Sequence, residues 1–391
     1  WCDSRAVEIG NKAFAEIGEQ KCMEHLLNSP GNFTASKLKW VKENEPEVYK
    51  KIDKYMLPGD YIALKLTGEV TTTKNGLSEG MLWDYKENKV ADWLLDYYGI
   101  DQSLTPRIVE NFTNQGIVTE EASSASGLPA GIPIVYRAGD QPNNALSLNV
   151  LNPGEVAATG GTSGVFYAVS EMSSGKSTRV NNFVHVNYEL ETPRVGKLLN
   201  INGAGIQYRW LRNNMGNESY EVMNEKASNV EVGSEGVVVI PFGNGAERMF
   251  NNKNIGTHFL NLNLNIHNSA HLFRASLEGI AFSFVYGMEC LKEDNATINV
   301  IRAGNDNLFR SEIFSNTVAT LIGHEIEIYN TTGAVGAARA VGLKDGDYSK
   351  FGANVSDNDH VMTFLPLHNA APYETAYQKW KTELELILTN K

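Results

Sequence analysis

The chain has 391 residues, 42% of them hydrophobic and 20% charged, enough apolar material for two cores of ordinary size and too much for a disordered chain. Lys and Arg number 34 against 46 Asp and Glu, a net charge of −12, which disfavours non-specific attraction to nucleic acid. No apolar run approaches the roughly 20 residues that cross a bilayer, and the first residues alternate charge with apolar positions, unlike a secretory leader; a cytoplasmic protein without nucleic-acid or membrane partners is expected.

Taken in chain order, Ala6, Ile9, Ala13 and Ile17 have helical spacing after Asp3, which is expected to cap a helix over Asp3–Ile17. A second helix is expected from Ser36, restarting at Pro46 and running through Tyr55. Pro58-Gly59-Asp60 is read as a break before the apolar run Tyr61–Leu66, which ends at Gly68. From Leu128 the texture changes. Gly131–Tyr136 reads as a short strand leading to Gly139-Asp140, and a carboxylate at the carboxyl end of a strand is well placed for chemistry in an α/β fold. Gly154–Val169 reads as a β-hairpin whose glycine-rich tip, Gly160-Gly161-Thr162-Ser163-Gly164, can present N–H groups and hydroxyls to a phosphate or be simply a tight turn.

The second half alternates helices and strands, which implies α/β layers. Helices are expected over Gly203–Met215, Ser269–Leu291 with Ser269 as cap, Asn307–Ile322, Gly333–Val341 and Tyr373–Leu388. Strands are expected over Val237–Ile240, Leu260–His267, Ile298–Ile301 and Ile326–Tyr329. Glycine recurs at three junctions, the hairpin tip, Asn202–Gly205 and Gly304, where backbone can approach a ligand closely and helix starts can face negative charge. A nucleotide is the natural ligand, yet no Walker A loop and no G-x-G-x-x-G fingerprint after a first strand occur.

Other chemistry fits less well. Ser163 lacks the spacing of a nucleophile elbow. Cys2, Cys22 and Cys290 are too few for a disulfide framework or a four-ligand zinc site, and His267 with His271 reads as a helix start because Asn stands at 268. No metal-ligating set is expected. Six Asn-x-Ser/Thr triplets read as chance in an Asn-rich chain.

Gly139-Asp140-Gln141, Gly161-Thr-Ser-Gly-Val-Phe-Tyr-Ala-Val-Ser-Glu171, Arg274-Ala275-x-x-Glu278-Gly279 and Gly333-Ala334-x-Gly336-Ala337-Ala338 together resemble the FGGY carbohydrate kinases, with the xylulose-phosphorylating members as the nearest likeness. Trp1-x-Asp3-x-Arg5, Leu57-Pro-x-Asp60-Tyr61 and Leu66-Thr-Gly-Glu69 match in the same order. The resemblance implies an α/β protein of two RNase H-like domains of the actin, hexokinase and Hsp70 ATPase type, with sugar and ATP in the interdomain cleft. It implies residues 1–151 as the rest of the sugar-binding domain, 152–370 as the ATP-binding domain and 371–391 as a terminal helix. Asp140 then resembles the general base for the sugar hydroxyl, Gln141 a sugar-hydroxyl partner, and Asp3 and Arg5 first-domain residues lining the sugar pocket. Gly161, Thr162 and Ser163 resemble the γ-phosphate contacts, Gly203 and Gln207 an ATP-contacting pair, and Gly304 with Asn305 the adenosine-binding turn. ATP with Mg²⁺ is the implied cofactor set, and D-xylulose the foremost acceptor.

The sequence departs from the family in three places. Ala303-Gly304-Asn305-Asp306 stands for a glycine triplet, and Gly245-Ala246-Glu247-Arg248-Met249 for G-E-R-T-P. The family's D-x-G-T phosphate motif and its Met-His sugar contact have no counterpart, so they are expected to precede Trp1. Glycerol, ribulose or another polyol, a non-catalytic binding role and the oligomeric state, with a homodimer among the options, stay open at this level.

Overall fold

The computed structural model describes residues 3–171, 177–344 and 346–390, so Trp1 and Cys2 of the opening segment lie outside the described residues. The chain divides into two compact units. Unit 1 is Trp1–Leu151, Ser170–Gly196 and Thr332–Val355; unit 2 is Asn152–Val169, Lys197–Thr331 and Ser356–Lys391.

Unit 1 is helical along most of its first stretch, including Val7–Ile17, Thr34–Asn44, Pro58–Thr67, Lys74–Glu79, Asp92–Tyr98 and Glu120–Ser126. Asp3 does not cap the first helix, which begins at Val7, because its carboxylate is held by Arg5. The Pro46 helix stops at Tyr49. Pro58 opens a helix rather than breaking the chain: proline suits the first helical position, and Asp60 at the third accepts the Leu57 N–H at 3.2 Å in a capping box. Gly68 ends this helix at φ 75°, where a side chain would be strained.

The expected strand Gly131–Tyr136 is extended but irregular. Its backbone bonds go to the loop 112–118, with Ile134 N–H donating to Gly116 at 2.8 Å and Val135 accepting from Phe112 at 2.7 Å, and only an isolated bridge forms, Ile117 to Pro133. Asp140 therefore opens the helix Asp140–Ser147 instead of ending a strand. A second helix of small residues, Gly333–Arg339, lies against that helix so closely that a Cβ on Gly336 would come within 2.5 Å of the Asn143 carbonyl oxygen and 2.6 Å of the Ser147 nitrogen. Gly336 of the Gly333–Ala338 segment thus serves packing within unit 1.

Unit 2 is built on a mixed sheet. Its strands include, side by side and in this order, His360–Phe364, Ile326–Tyr329, Val300–Gly304, Glu155–Gly160, Gly164–Ser170 and Val195–Ile201. The hairpin is antiparallel with Gly160 opposite Gly164, and Val300–Gly304 runs parallel to its first arm, so their carboxyl ends emerge together. The 25-residue helix Ser269–Glu293 buries most of its length, and Gly279 is required because a Cβ there would collide with the Val239 carbonyl. Its cap is Asn268, not Ser269: the Asn268 side chain accepts from Ala270, and His271 Nδ1 accepts the Asn268 N–H at 3.2 Å. His271 is thus engaged in capping.

Leu260–His267 is not a strand. The strand Gly256–Leu260 ends opposite Val238, where its antiparallel partner Val238–Phe242 begins, and the Leu/Asn alternation beyond it leaves Leu264 89% exposed, so period-2 patterning without a ladder partner makes no strand. The expected helix Asn307–Ile322 is split at Ser311, which caps Glu312–Ile322 by accepting from Phe314. Cys22 and Cys290 are buried and form no disulfide among the described residues, and burial pushes the Cys22 thiol up to about 11. Among the described residues no helix is long and apolar enough to cross a membrane.

Candidate active site

In unit 1, Asp140 stands exposed in the first turn of its helix, where the helix dipole favours a negative charge, and its Oδ1 accepts the Gln141 N–H at 2.8 Å. The segment that delivers it is pinned three residues upstream by Arg137. Its guanidinium donates to Asp60 Oδ1 at 3.3 Å, to Thr71 Oγ1 at 2.6 Å, to the Thr71 carbonyl at 3.1 Å and to Gln115 Oε1 at 3.0 Å. Asp60 also accepts from Thr72 Oγ1 at 2.9 Å. Burial pushes the Asp60 carboxyl up and the Arg137 guanidinium down, so the bonds are what make an internal ion pair tolerable. The Leu57-Pro-x-Asp60 motif and the Gly139-Asp140 motif are thus joined by one buried network.

Gln141 Oε1, Asn143 Oδ1 and Tyr136 Oη are buried atoms without a hydrogen-bond partner among the described residues. Gln141 and Asn143 lie in the Asp140 helix and Tyr136 lies just before it, so these three atoms near Asp140 in the chain are open to a partner. Asp3 and Arg5 form a bidentate pair, 2.9 and 2.7 Å, with the guanidinium 4.1 Å over the Trp40 ring. The Arg5 hydrogen bond is the main reason the Asp3 carboxyl lies far below the usual carboxylate range. Their partners are Trp40 on the Thr34–Asn44 helix, Asn32 just before it and Glu45 at its C-terminal cap.

In unit 2 the structure gathers the three glycine junctions. The first N–H groups of the helix Gly205–Asn214 are not open to a phosphate: Gly205 and Ile206 donate to the carbonyls of Gly161 and Thr162 at 3.0 and 3.1 Å, and so brace the hairpin tip. Gly203 is forced by the Pro241 carbonyl, and Gly205 by the Gly161 carbonyl. Gly161 itself meets nothing closer than 3.8 Å and has a half-exposed backbone, while Thr162 is exposed. Asn202, just before Gly203, donates to Glu247 Oε1 at 3.2 Å, and Asn200 donates to Oε2 at 2.9 Å, which gives the departing Gly245–Met249 segment a structural task. Burial brings the neighbouring Arg248 down to about 10.

Gln207 is 5% exposed; its Oε1 accepts from Thr257 at 3.1 Å and its Nε2 has no partner among the described residues. Asn305 N–H is held by the Tyr329 carbonyl at 2.8 Å, and the turn beyond it brings Asn307 Nδ2 within 3.8 Å of the Cβ position of Gly161. A buried orphan donor, an open glycine tip and two hydroxyls suit an anionic ligand of nucleotide type. Among the described residues no group of three or more His, Cys, Asp or Glu could hold a metal ion, and Mg²⁺ needs none, since one or two carboxylates with nucleotide phosphates and waters suffice for it.

Sequence reasoning missed Asp60 with Arg137, Glu247 and Glu79. Their partners lie 77, 45 and 60 positions away, and no short motif marks such distances. The Arg274/Glu278 motif, by contrast, is structural: Arg274 Nε bonds Glu278 at 2.7 Å, and the carboxylate also takes Ser234 Oγ and the Gly233 N–H.

Residues 1–147 match the N-terminal domain, and residues 156–342 the C-terminal domain, of the FGGY family of carbohydrate kinases. The chain is 27% identical over 343 residues to the xylulose kinase of Escherichia coli (strain K12), spanning 86% of this chain and 68% of that one. Among solved structures, xylulose kinase from Rhodospirillum rubrum superposes with a TM-score of 0.87 at 23% identity, covering 98% of this chain and 78% of the other. Plasmodium falciparum glycerol kinase with ADP gives 0.84 at 20% identity, covering 99% and 78%. The two-domain α/β fold expected from the sequence is the fold these structures share.

Proposed function

The chain belongs to the FGGY family of carbohydrate kinases, and from that premise we propose that it transfers the γ-phosphoryl group of ATP to a ketopentose, converting D-xylulose to D-xylulose 5-phosphate with Asp140 as general base. The observation that carries this reading is Asp140 itself. It is an exposed carboxylate fixed by its own helix, by the Gly336 contact behind it and by the Arg137–Asp60 network before it, with unfilled polar atoms around it. Asp140 takes the proton of the C5 hydroxyl as that oxygen attacks the γ-phosphorus; the O–P bond to the new ester forms as the bond to ADP breaks.

Gln141 accepts a sugar hydroxyl through its open Oε1, and Asp3 with Arg5 borders the same acceptor region. Gly161, Thr162 and Ser163 hold the γ-phosphate, Gln207 donates through Nε2 beside Gly203, and Gly304 with Asn305 accommodates the adenosine. Mg²⁺, when bound with the nucleotide, neutralises phosphate charge that a chain of net charge −12 would otherwise repel. Sugar binding belongs to unit 1 and nucleotide binding to unit 2, in a cytoplasmic protein whose buried thiols stay reduced.

Likeness to a glycerol kinase structure supports a second acceptor, glycerol, at the same base. A coupled ADP-release assay with the full-length protein across D-xylulose, L-ribulose, glycerol and gluconate decides. The highest kcat/KM is expected with D-xylulose. A higher value with glycerol moves the acceptor to the second reading, and nucleotide binding without ADP release by any acceptor contradicts a kinase.

A further inference from the structure

A second carboxylate stands beside Asp140. Glu79 is the last residue of the helix Lys74–Glu79, and its Oε1 accepts the N–H of Gly139, the residue that caps the Asp140 helix, at 3.4 Å. The approach is close enough to exclude any side chain at Gly139, where a Cβ would lie 2.5 Å from Glu79 Oε2. Glu79 is half-buried, makes no ion pair among the described residues, and leaves Oε2 without a hydrogen bond.

Gln141 Oε1 and the Tyr136 hydroxyl are buried without partners, and Glu79 Oε2 and the second oxygen of the exposed Asp140 accept no hydrogen bond from the described residues, so what is open at this spot is mostly acceptors. Acceptors call for donors. A polyhydroxylated molecule brings one O–H per carbon, whereas a sugar acid brings a carboxylate that two negative side chains repel in a half-buried place.

We propose that Glu79 is the specificity-determining residue of the acceptor site, accepting a hydrogen bond from a hydroxyl next to the one that Asp140 deprotonates, so that the site takes neutral ketoses and polyols and rejects aldonates. Burial pushes the Glu79 carboxyl up to about 7, with the Gly139 N–H pulling it back and the charges of Asp140 and Asp60 pushing it further. A carboxylate held there is a more basic, stronger acceptor than an ordinary one and still ionises near neutrality.

The inference rests on Asp140 as the base, so the two are tested side by side. In the full-length protein, kcat and KM are measured for D-xylulose and gluconate with the parent, Glu79→Gln, Glu79→Asp and Asp140→Asn. Glu79→Gln keeps an acceptor for Gly139 N–H but loses the charge. It is expected to raise KM for D-xylulose about tenfold or more and to lower the D-xylulose to gluconate ratio of kcat/KM by at least about tenfold, the scale of one hydrogen bond to a charged group. Glu79→Asp keeps the charge but withdraws it by a methylene, so KM for D-xylulose rises while gluconate stays excluded. If the Gln variant is insoluble, the Asp variant carries the test, and an unchanged KM there overturns the inference. An unchanged ratio in Glu79→Gln, with Asp140→Asn inactive, overturns the role of Glu79 alone; full turnover in Asp140→Asn overturns the base on which it rests.

Discussion

At the scale of single residues, the proposed nucleotide cluster turns on Gln207. Its side chain is buried, its carbonyl end is tied to Thr257, and its amide end is unfilled, a donor whose burial costs the fold until an acceptor meets it. Gln207→Glu preserves shape and the Thr257 bond but replaces the donor with an acceptor facing phosphate oxygens. KM for ATP is expected to rise about tenfold or more, the loss of one charge-assisted bond, with the sugar KM unchanged. An unchanged ATP KM in steady-state kinetics removes Gln207 from the nucleotide contacts. The resemblance reached Gln207 and Gly203, but the reason for each needed coordinates: a carbonyl from Pro241 forbids a side chain at Gly203, and nothing near position 203 in the sequence announces it.

At the scale of elements, what was legible was what is local. The hairpin arms, Glu155–Gly160 and Gly164–Ser170, follow from β-branched and aromatic residues around a glycine tip. The strand assigned to Gly131–Tyr136 failed because extended preference says nothing about whether a regular partner exists, and Leu260–His267 failed for the same reason. Two element-scale predictions follow from contacts across the chain. Gly336→Ala forces a methyl against Asn143 and Ser147 and should destabilise unit 1 by about 1–3 kcal/mol in chemical denaturation. Unaltered stability contradicts the close helix contact. Arg137→Ala leaves Asp60 buried without its cation and should cost about 3–5 kcal/mol; in a double-mutant cycle the further change Asp60→Asn should recover part of that loss. Additive effects contradict the network that holds the Asp140 segment.

At the scale of the whole molecule, two units with separate cores fold from a chain whose sequence suggested two domains, although a contiguous cut near 151 could not show that 170–196 and 332–355 pack with the first stretch. Those returns depend on contacts such as Gly336 against Asn143, which spacing does not encode. The pH response should also be unit-specific. Burial lowers the unit 1 residue His185 from 6.5 to about 3, with the Arg194 charge adding to it, so the folded state keeps the ring neutral while the unfolded chain takes up a proton. Stability from His185 is therefore complete above pH 6.5 and is lost as pH falls toward 3, and His185→Gln should flatten the acid limb of the stability curve. An identical acid limb in the variant contradicts it. The central claim, a sugar kinase with Asp140 as base, is tested most directly by D-xylulose-dependent ADP release from the full-length protein and its Asp140→Asn variant. The account predicts a fall in kcat of about 10²–10⁴ with unfolding midpoint and ATP binding retained; turnover within a few-fold of the parent contradicts it.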